Sequence, residues 1–164
     1  MAIKETLTRV CDIFARPDDF GGKTIRLGGW IKTIRSSNAF GFIELNDGTC
    51  FKNIQIVFES DIIDNYKEIS KLNIPASIIA EGVLELTPGA KQPFELKAKA
   101  IEITGESTPD YPIQPKRHSF EFLRSIAHLR PRANTFNAVF RVRSVAAQGI
   151  HRFFTDKGFV YVNT

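Results

Sequence analysis

The chain has 164 residues, 43% of them hydrophobic and 24% charged, the balance of a globular protein rather than of a disordered tail. No apolar run approaches the ~18 residues of a membrane span, and the opening "MAIKETLTRV" lacks the apolar core of a signal peptide. The net charge of +4 hides an asymmetry: residues 1–111 carry 13 Lys+Arg against 16 Asp+Glu, and residues 112–164 carry 9 against 2.

Only two cysteines occur, Cys11 and Cys50. They match no metal-ligand spacing and are too few for a disulfide framework, so a reduced, cytoplasmic protein is expected. Basicity alone directs attention to the C-terminal part for a polyanionic partner. An overall charge says nothing about a local groove, however, and the first part stays open.

"IKETLTRVCDIF" places Ile3, Leu7, Val10 and Phe14 at helical spacing with Pro17 just beyond, and predicts a short amphipathic helix. Three strand-like runs follow, "KTIRLGGWIKTIR", "FGFIELND" and "NIQIVFES". "DIIDNYKEISKLN" reads as a helix with Ile62, Ile63, Tyr66, Ile69 and Leu72 on one side and Asp61 as N-cap. Two more strands, "ASIIAEGVLELT" and "FELKAKAIEIT", flank the turn-rich "PGAKQP". Three strands, a helix and two strands, with Gly28-Gly29 in the longest strand where a closed sheet needs a bend or bulge, predict a five-stranded barrel of the oligonucleotide-binding (OB) type.

After Thr108 the texture changes. "TPDYPIQPKR" reads as a semi-rigid, proline-rich linker, and "SFEFLRSIAH" as a short helical piece. A long helix is predicted from about Ala133 to Asp156, with Phe136, Val139, Phe140, Ile150, Phe153 and Phe154 as apolar positions and Gly158 at C′. "FVYVNT" then reads as the start of a strand. A helix and strand of this kind cannot bury their apolar face alone. Residues 133–164 are therefore expected to be disordered, or ordered only through contacts between chains.

One feature of the barrel points to chemistry. Side chains alternate along a strand, so Ile43 and Leu45 share one face, and Phe40 and Phe42 share the other with Glu44 and Asn46. Single strands lie across the second and third strands of such barrels, with bases stacked on exposed aromatics. Phe42 fits a stacking role, and Gln55 on the outer face of strand three offers an amide that can donate and accept. Arg35 can meet a phosphate or a base, Glu95 can accept from a base, and Lys91 in "PGAKQP" is a backbone-phosphate candidate. Phe40 is expected to pack under the loop.

His118, His128 and His151 have no partner at ligand spacing and are assigned surface or capping roles. "TPGAKQP" is no phosphate loop, since it lacks the Gly-Lys-Ser/Thr element and precedes a strand. No catalytic or metal-ligating residue is identified.

"GWIKTIRSSNAFGFIELNDG", "NIQIVF", "TPGAKQPFELKAKAIEITGES" and "YPIQPKRHSFEFLRSIAHLRPR" together resemble the N-terminal part of bacterial asparaginyl-tRNA synthetases, class II enzymes of the aspartate subgroup. "FNAVFRVRSVAAQGIHRFFTDKGFVYVNT" resembles the first class II motif, a long helix and a strand. The resemblance covers essentially the whole chain. It implies that the barrel binds the tRNA anticodon, with Phe42 stacking on the middle uridine, Gln55 and Glu95 reading bases, and Arg35 at the end of strand one.

The resemblance further implies a fragment, with residues 1–108 as N-terminal helix and OB domain, 109–132 as hinge, and 133–164 as the start of the catalytic domain. The proline that ends the first motif would follow Thr164. The second and third motifs, which in the family hold ATP, magnesium and the amino acid, are missing. The parent would be an ATP- and Mg2+-dependent homodimer that attaches asparagine to its tRNA, and this fragment would not activate asparagine by itself. Two alternatives stay open: an aspartyl-tRNA synthetase, whose tRNA shares the middle uridine, and a free-standing single-strand-binding module.

Overall fold

The computed structural model describes residues 6–90 and 92–163. Two compact units divide it, Met1–Pro115 and Lys116–Thr164.

The first unit is a closed barrel in the order β1-β2-β3-β5-β4, with β1 Thr24–Ser36, β2 Phe40–Asn46, β3 Ile54–Glu59, β4 Ser77–Leu86 and β5 Phe94–Gly105. This is the OB barrel expected from the strand order. β1 is long enough to serve two neighbours: Thr24 to Trp30 pair with β4, and Trp30 to Ser36 pair with β2. Closure between β3 and β5 removes the last open edges.

The bend in β1 is made differently from the expectation. The register shift falls between Ile31 and Thr33, beyond the glycine pair. Gly29 instead permits a close approach, since a Cβ there would come within 2.7 Å of the Asn46 carbonyl oxygen. Gly82 does the same on β4, where a Cβ would strike the Lys97 carbonyl on β5.

Alternation sorts the side chains as the sequence indicates, except at Asn46. That residue, expected on the face of Phe42, is buried at the end of β2, where its amide serves carbonyls of the β2–β3 turn. Ile25, Leu27, Ile31, Ile43, Leu45, Ile54, Ile56, Phe58, Ile78, Leu84 and Leu96 form the buried interior.

Both predicted helices of this unit are shorter than their apolar spacing suggests. The first, α1, spans only Val10–Ala15. Ile3 lies outside the described residues. Ahead of the helix the chain leans on β1, with Thr8 N–H donating to the Arg26 carbonyl at 2.8 Å. The helix starts where the β2–β3 turn supplies acceptors: Asp47 Oδ2 accepts from Val10 N–H at 2.8 Å and Thr49 Oγ1 from Cys11 N–H at 3.1 Å. Val10 and Ile13 then enter the core.

The helix between β3 and β4, α2, is a single turn, Tyr66–Ile69, with Asn65 rather than Asp61 at its N-cap. Ile63, Tyr66 and Ile69 are buried as expected, but Ile62 is 49% exposed. Competing bonds hold the segment. Asn65 Nδ2 donates to the Ile101 carbonyl at 3.1 Å, and Tyr66 Oη donates to the Ser37 carbonyl at 2.8 Å.

In the second unit α3 is Phe120–Ser125, capped by Ser119, whose Oγ accepts from Phe122 N–H at 3.2 Å. A 3-10 turn at Arg130–Arg132 leads into α4, Asn134–Asp156. The Arg130 guanidinium lies 5.1 Å from the Phe136 ring centre and 5.5 Å from that of Phe140, a cation–π contact at the start of α4.

Gly158, with φ +82°, ends α4. Its N–H donates to the Thr155 carbonyl at 2.9 Å and that of Phe159 to the Phe154 carbonyl at 3.1 Å, the paired bonds of a Schellman cap. None of the residues of α4 is buried. The strand expected from "FVYVNT" is absent over 159–163. A strand needs a neighbour for its backbone groups, and none lies beside it among the described residues.

Two outcomes test this architecture. Ile43 is fully buried between β1 and β3, so Ile43→Ala is expected to lower stability by ~2–5 kcal/mol in urea unfolding. Because the core cluster of the barrel lies entirely within the first unit, a chain ending at Pro115 is expected to keep one cooperative transition and its β-sheet circular dichroism.

Candidate nucleic-acid interface

The outer face of the barrel is built from two adjacent rows that cross the strands. Backbone register places Arg35 of β1 opposite Phe42 of β2, Phe42 opposite Val57 of β3, and Val57 opposite Lys97 of β5. One step along, Thr33 faces Glu44, Glu44 faces Gln55, Gln55 faces Glu95, and Glu95 faces Glu85 of β4. Their neighbours along β2 and β3, Ile43, Leu45, Ile54 and Ile56, point inward and are fully buried. That inward set fixes the rows outward, because a one-residue slip would exchange the two faces.

The first row is aromatic and apolar between two cations. Phe42 is half-buried, and Phe40 packs edge-on against it with ring centres 5.5 Å apart. Phe40 does not pack under the loop as expected: it is 47% exposed. The β1–β2 turn is closed by Ser37, whose Oγ donates to the Phe40 carbonyl at 3.0 Å, and Tyr66 tethers the Ser37 carbonyl from below. With that path fixed, Phe40 continues the aromatic face. Arg35 is exposed beside Phe42.

The second row is amide and carboxylate. Gln55 Nε2 donates to Glu95 Oε2 at 3.0 Å. This bond decides the amide orientation and leaves Gln55 Oε1 as an acceptor. Asn53 Nδ2 donates to Glu44 Oε2 at 3.3 Å, and Asn53 Oδ1 accepts from Asn46 Nδ2 at 3.0 Å. Among the described residues Asn46 is the one buried polar side chain, and its amide also donates to the Cys50 and Lys52 carbonyls. Glu44 is therefore held from within the barrel. Lys97 Nζ meets Glu85 Oε2 at 2.8 Å, and that carboxylate raises the lysine above its ordinary pKa.

Four of the five residues singled out in the sequence thus lie on one face, Arg35, Phe42, Gln55 and Glu95. Lys91 lies outside the described residues. Thr87, just beyond β4, donates its N–H to the Pro93 carbonyl and its Oγ1 hydrogen to that of Gln92. Sequence reasoning passed over Lys97 and Glu85. The alternation of "FELKAKA" marks Lys97 as outward, but only the β4–β5 register reveals its carboxylate. Of the histidines, His118 stacks on Phe122 at 5.0 Å and His151 meets Tyr161 edge-on at 4.8 Å.

What the two rows offer is a stacking platform beside a fixed set of hydrogen-bonding groups. Unpaired bases are recognised through those two surfaces, the ring face and the Watson–Crick edge.

Comparison with known proteins agrees in fold and in sequence. A family model for tRNA anticodon domains, described as an OB-fold nucleic acid binding domain, matches residues 25–104. The asparagine–tRNA ligase of Acetivibrio thermocellus is 63% identical over 157 residues, covering 96% of this chain and 34% of that protein. That of Clostridium acetobutylicum is 59% identical over 155 residues, covering 94% and 33% respectively. Among solved structures, the asparaginyl-tRNA synthetase of Pyrococcus horikoshii complexed with asparaginyl-adenylate superposes with a TM-score of 0.84 at 21% identity, over 97% of this chain and 36% of that one. A putative aspartyl-tRNA synthetase from Leishmania major is similar in fold at 0.80 and 18% identity. The chain spans about a third of the length of the curated relatives it matches. With identities near 60% along almost all of its residues, the chain is similar to about a third of the length of asparagine–tRNA ligases, and its residues 25–104 match an OB-fold nucleic acid binding domain.

Proposed function

We propose that this chain is the anticodon-recognising part of an asparagine–tRNA ligase, and that the β1–β2–β3–β5 face receives the anticodon loop with its middle uridine. The observation that carries the reading is the bonded Gln55–Glu95 pair beside Phe42, on the face turned away from the aliphatic core. Phe42 stacks on the unpaired uracil, and Gln55 and Glu95 read its edge. Arg35 meets a phosphate or an adjacent base at the rim, and Lys91 contacts the backbone.

In the longer protein, ATP and Mg2+ serve the activation of asparagine in the catalytic domain, and no residue of this chain is assigned to that step. The exposed apolar positions of α4, among them Val139, Ile150, Phe153 and Phe154, support a helix covered by that domain and by a second subunit of a homodimer. Residues 109–132 act as the hinge between the two parts. The cytoplasm, where tRNA is charged, is the proposed location; among the described residues no helix is long and apolar enough to cross a membrane.

Binding of anticodon stem-loops tests the proposal. Stacking is worth ~1–3 kcal/mol per base by alanine substitution. Phe42→Ala is therefore expected to weaken binding roughly ten- to a hundredfold, with the unfolding midpoint nearly unchanged because the ring is outside the core cluster. Unaltered binding would remove Phe42 from the site.

Gln55→Ala is expected to lose discrimination between uracil and cytosine at the middle position, a contact worth ~1–3 kcal/mol. Lys91→Ala should instead weaken all sequences alike and flatten the salt dependence. A Gln55→Ala protein that rejects cytosine as strongly as the native chain would overturn its assignment.

A further inference from the structure

Glu85 on β4 stands directly opposite Glu95 on β5, and like charges facing each other across a sheet cost free energy. Two contacts turn these carboxylates apart. Lys97, two residues along β5 and diagonal to Glu85, holds Glu85 Oε2 at 2.8 Å. Glu95 Oε2 accepts from Gln55 Nε2 at 3.0 Å on the other side.

Glu59 on β3 also acts on Lys97 by its charge, and Glu44 on β2 faces Gln55 from beyond. Among the described residues, four carboxylates therefore surround this corner, and Lys97 is the cation bonded within it. A phosphate would meet net negative charge here, which argues against a direct backbone contact by this lysine.

We propose that Lys97 is a positioning residue for base recognition: by holding Glu85, it keeps Glu95 turned toward Gln55. The inference rests on the reading that this face receives the anticodon. Glu95 Oε2 commits one Nε2 hydrogen of Gln55, so the pair presents the second amide hydrogen beside a free carboxylate oxygen. Uracil matches that set, since its N3–H donates to the carboxylate while a ring carbonyl accepts from the amide. In the same pose cytosine sets its unprotonated N3, with its lone pair, against the carboxylate.

Without Lys97, Glu85 and Glu95 confront each other with no bonded counter-charge. Two such carboxylates relieve the repulsion by swinging apart. A displaced Glu95 releases Gln55. That change erodes the distinction between uracil and cytosine while the ring still stacks on Phe42.

The test is the ratio of dissociation constants for stem-loops with cytosine and with uracil at the middle position, with unfolding midpoints as the control for folding. Lys97→Met is expected to reduce that ratio roughly tenfold, within the range of one base contact, and Lys97→Arg should retain it. Adding Glu85→Gln to Lys97→Met is expected to restore the ratio, because no charge then faces Glu95. Equal loss on both stem-loops with a shallower salt slope, not restored by Glu85→Gln, would overturn the inference in favour of a phosphate contact. A ratio unchanged in Lys97→Met overturns it as well. A native chain with no preference for uracil would overturn the underlying reading and this inference together, whereas a native preference that survives Lys97→Met defeats the inference alone.

Discussion

The parallel pairing of β3 with β5 is the constraint from which the rest of the barrel's outer face follows. It spans three residue pairs, Gln55 with Glu95, Ile56 with Leu96, and Val57 with Lys97. The middle pair belongs to the core, both residues being fully buried. The pairs on either side must then point outward, so the contact that closes the barrel also sets the amide of Gln55 against the carboxylate of Glu95. Gly82 makes the closure possible from the other side, since any Cβ there would strike the β5 backbone beside Lys97. Stability and the presentation of polar groups are thus linked through one short ladder. Loosening it would cost core packing and the Gln55–Glu95 bond at once.

The outer face is further stiffened by groups that never reach its surface. Asn46 uses its amide on two carbonyls of the β2–β3 turn and on Asn53, which in turn holds Glu44. Tyr66 reaches from α2 to the β1–β2 turn and fixes the path from which Phe40 and Phe42 project. A site built on strands and braced by buried hydrogen bonds loses little freedom when a ligand docks, and less free energy is lost to ordering. The same turn that Asn46 braces carries Asp47 and Thr49, the acceptors for the first N–H groups of α1.

Much of this was legible in the sequence, and the boundary of what was legible has a physical cause. Strand identity and facing follow from alternation within a few residues, so Ile43, Leu45, Ile54 and Ile56 were assigned inward and Phe42, Gln55 and Glu95 outward. Helix extent depends on which acceptors and neighbours lie nearby, so apolar spacing overran both α1 and α2. Capping by Asp47 and Thr49, 37 and 38 residues from their partners, leaves no mark in local pattern. The exposure of Phe40 leaves no such mark either, because packing under a loop depends on the path of the turn. The strand read into "FVYVNT" was a propensity without a neighbour. The role of Lys97 is hidden for a related reason: outwardness is periodic, but the identity of the carboxylate it meets is a matter of register between strands.

The charge of the barrel clarifies the division of labour within the proposed interface. Residues 1–111 carry more acid than base, and the edge-reading row itself contains Glu44, Glu85 and Glu95. Such a row contributes nothing to non-specific attraction for a polyanion and opposes it at long range. Its value lies in discrimination. Carboxylates accept hydrogen bonds and donate none while ionised, so they favour a base edge that offers N–H and penalise one that offers a lone pair. In the proposed complex, affinity for the phosphate backbone comes from cations outside that row, such as Arg35 and Lys91, and residues 112–164 carry 9 Lys+Arg against 2 Asp+Glu. Separating attraction from reading in this way lets a wrong base be rejected without the backbone contacts compensating for it, because the two sets of groups act on different parts of the RNA.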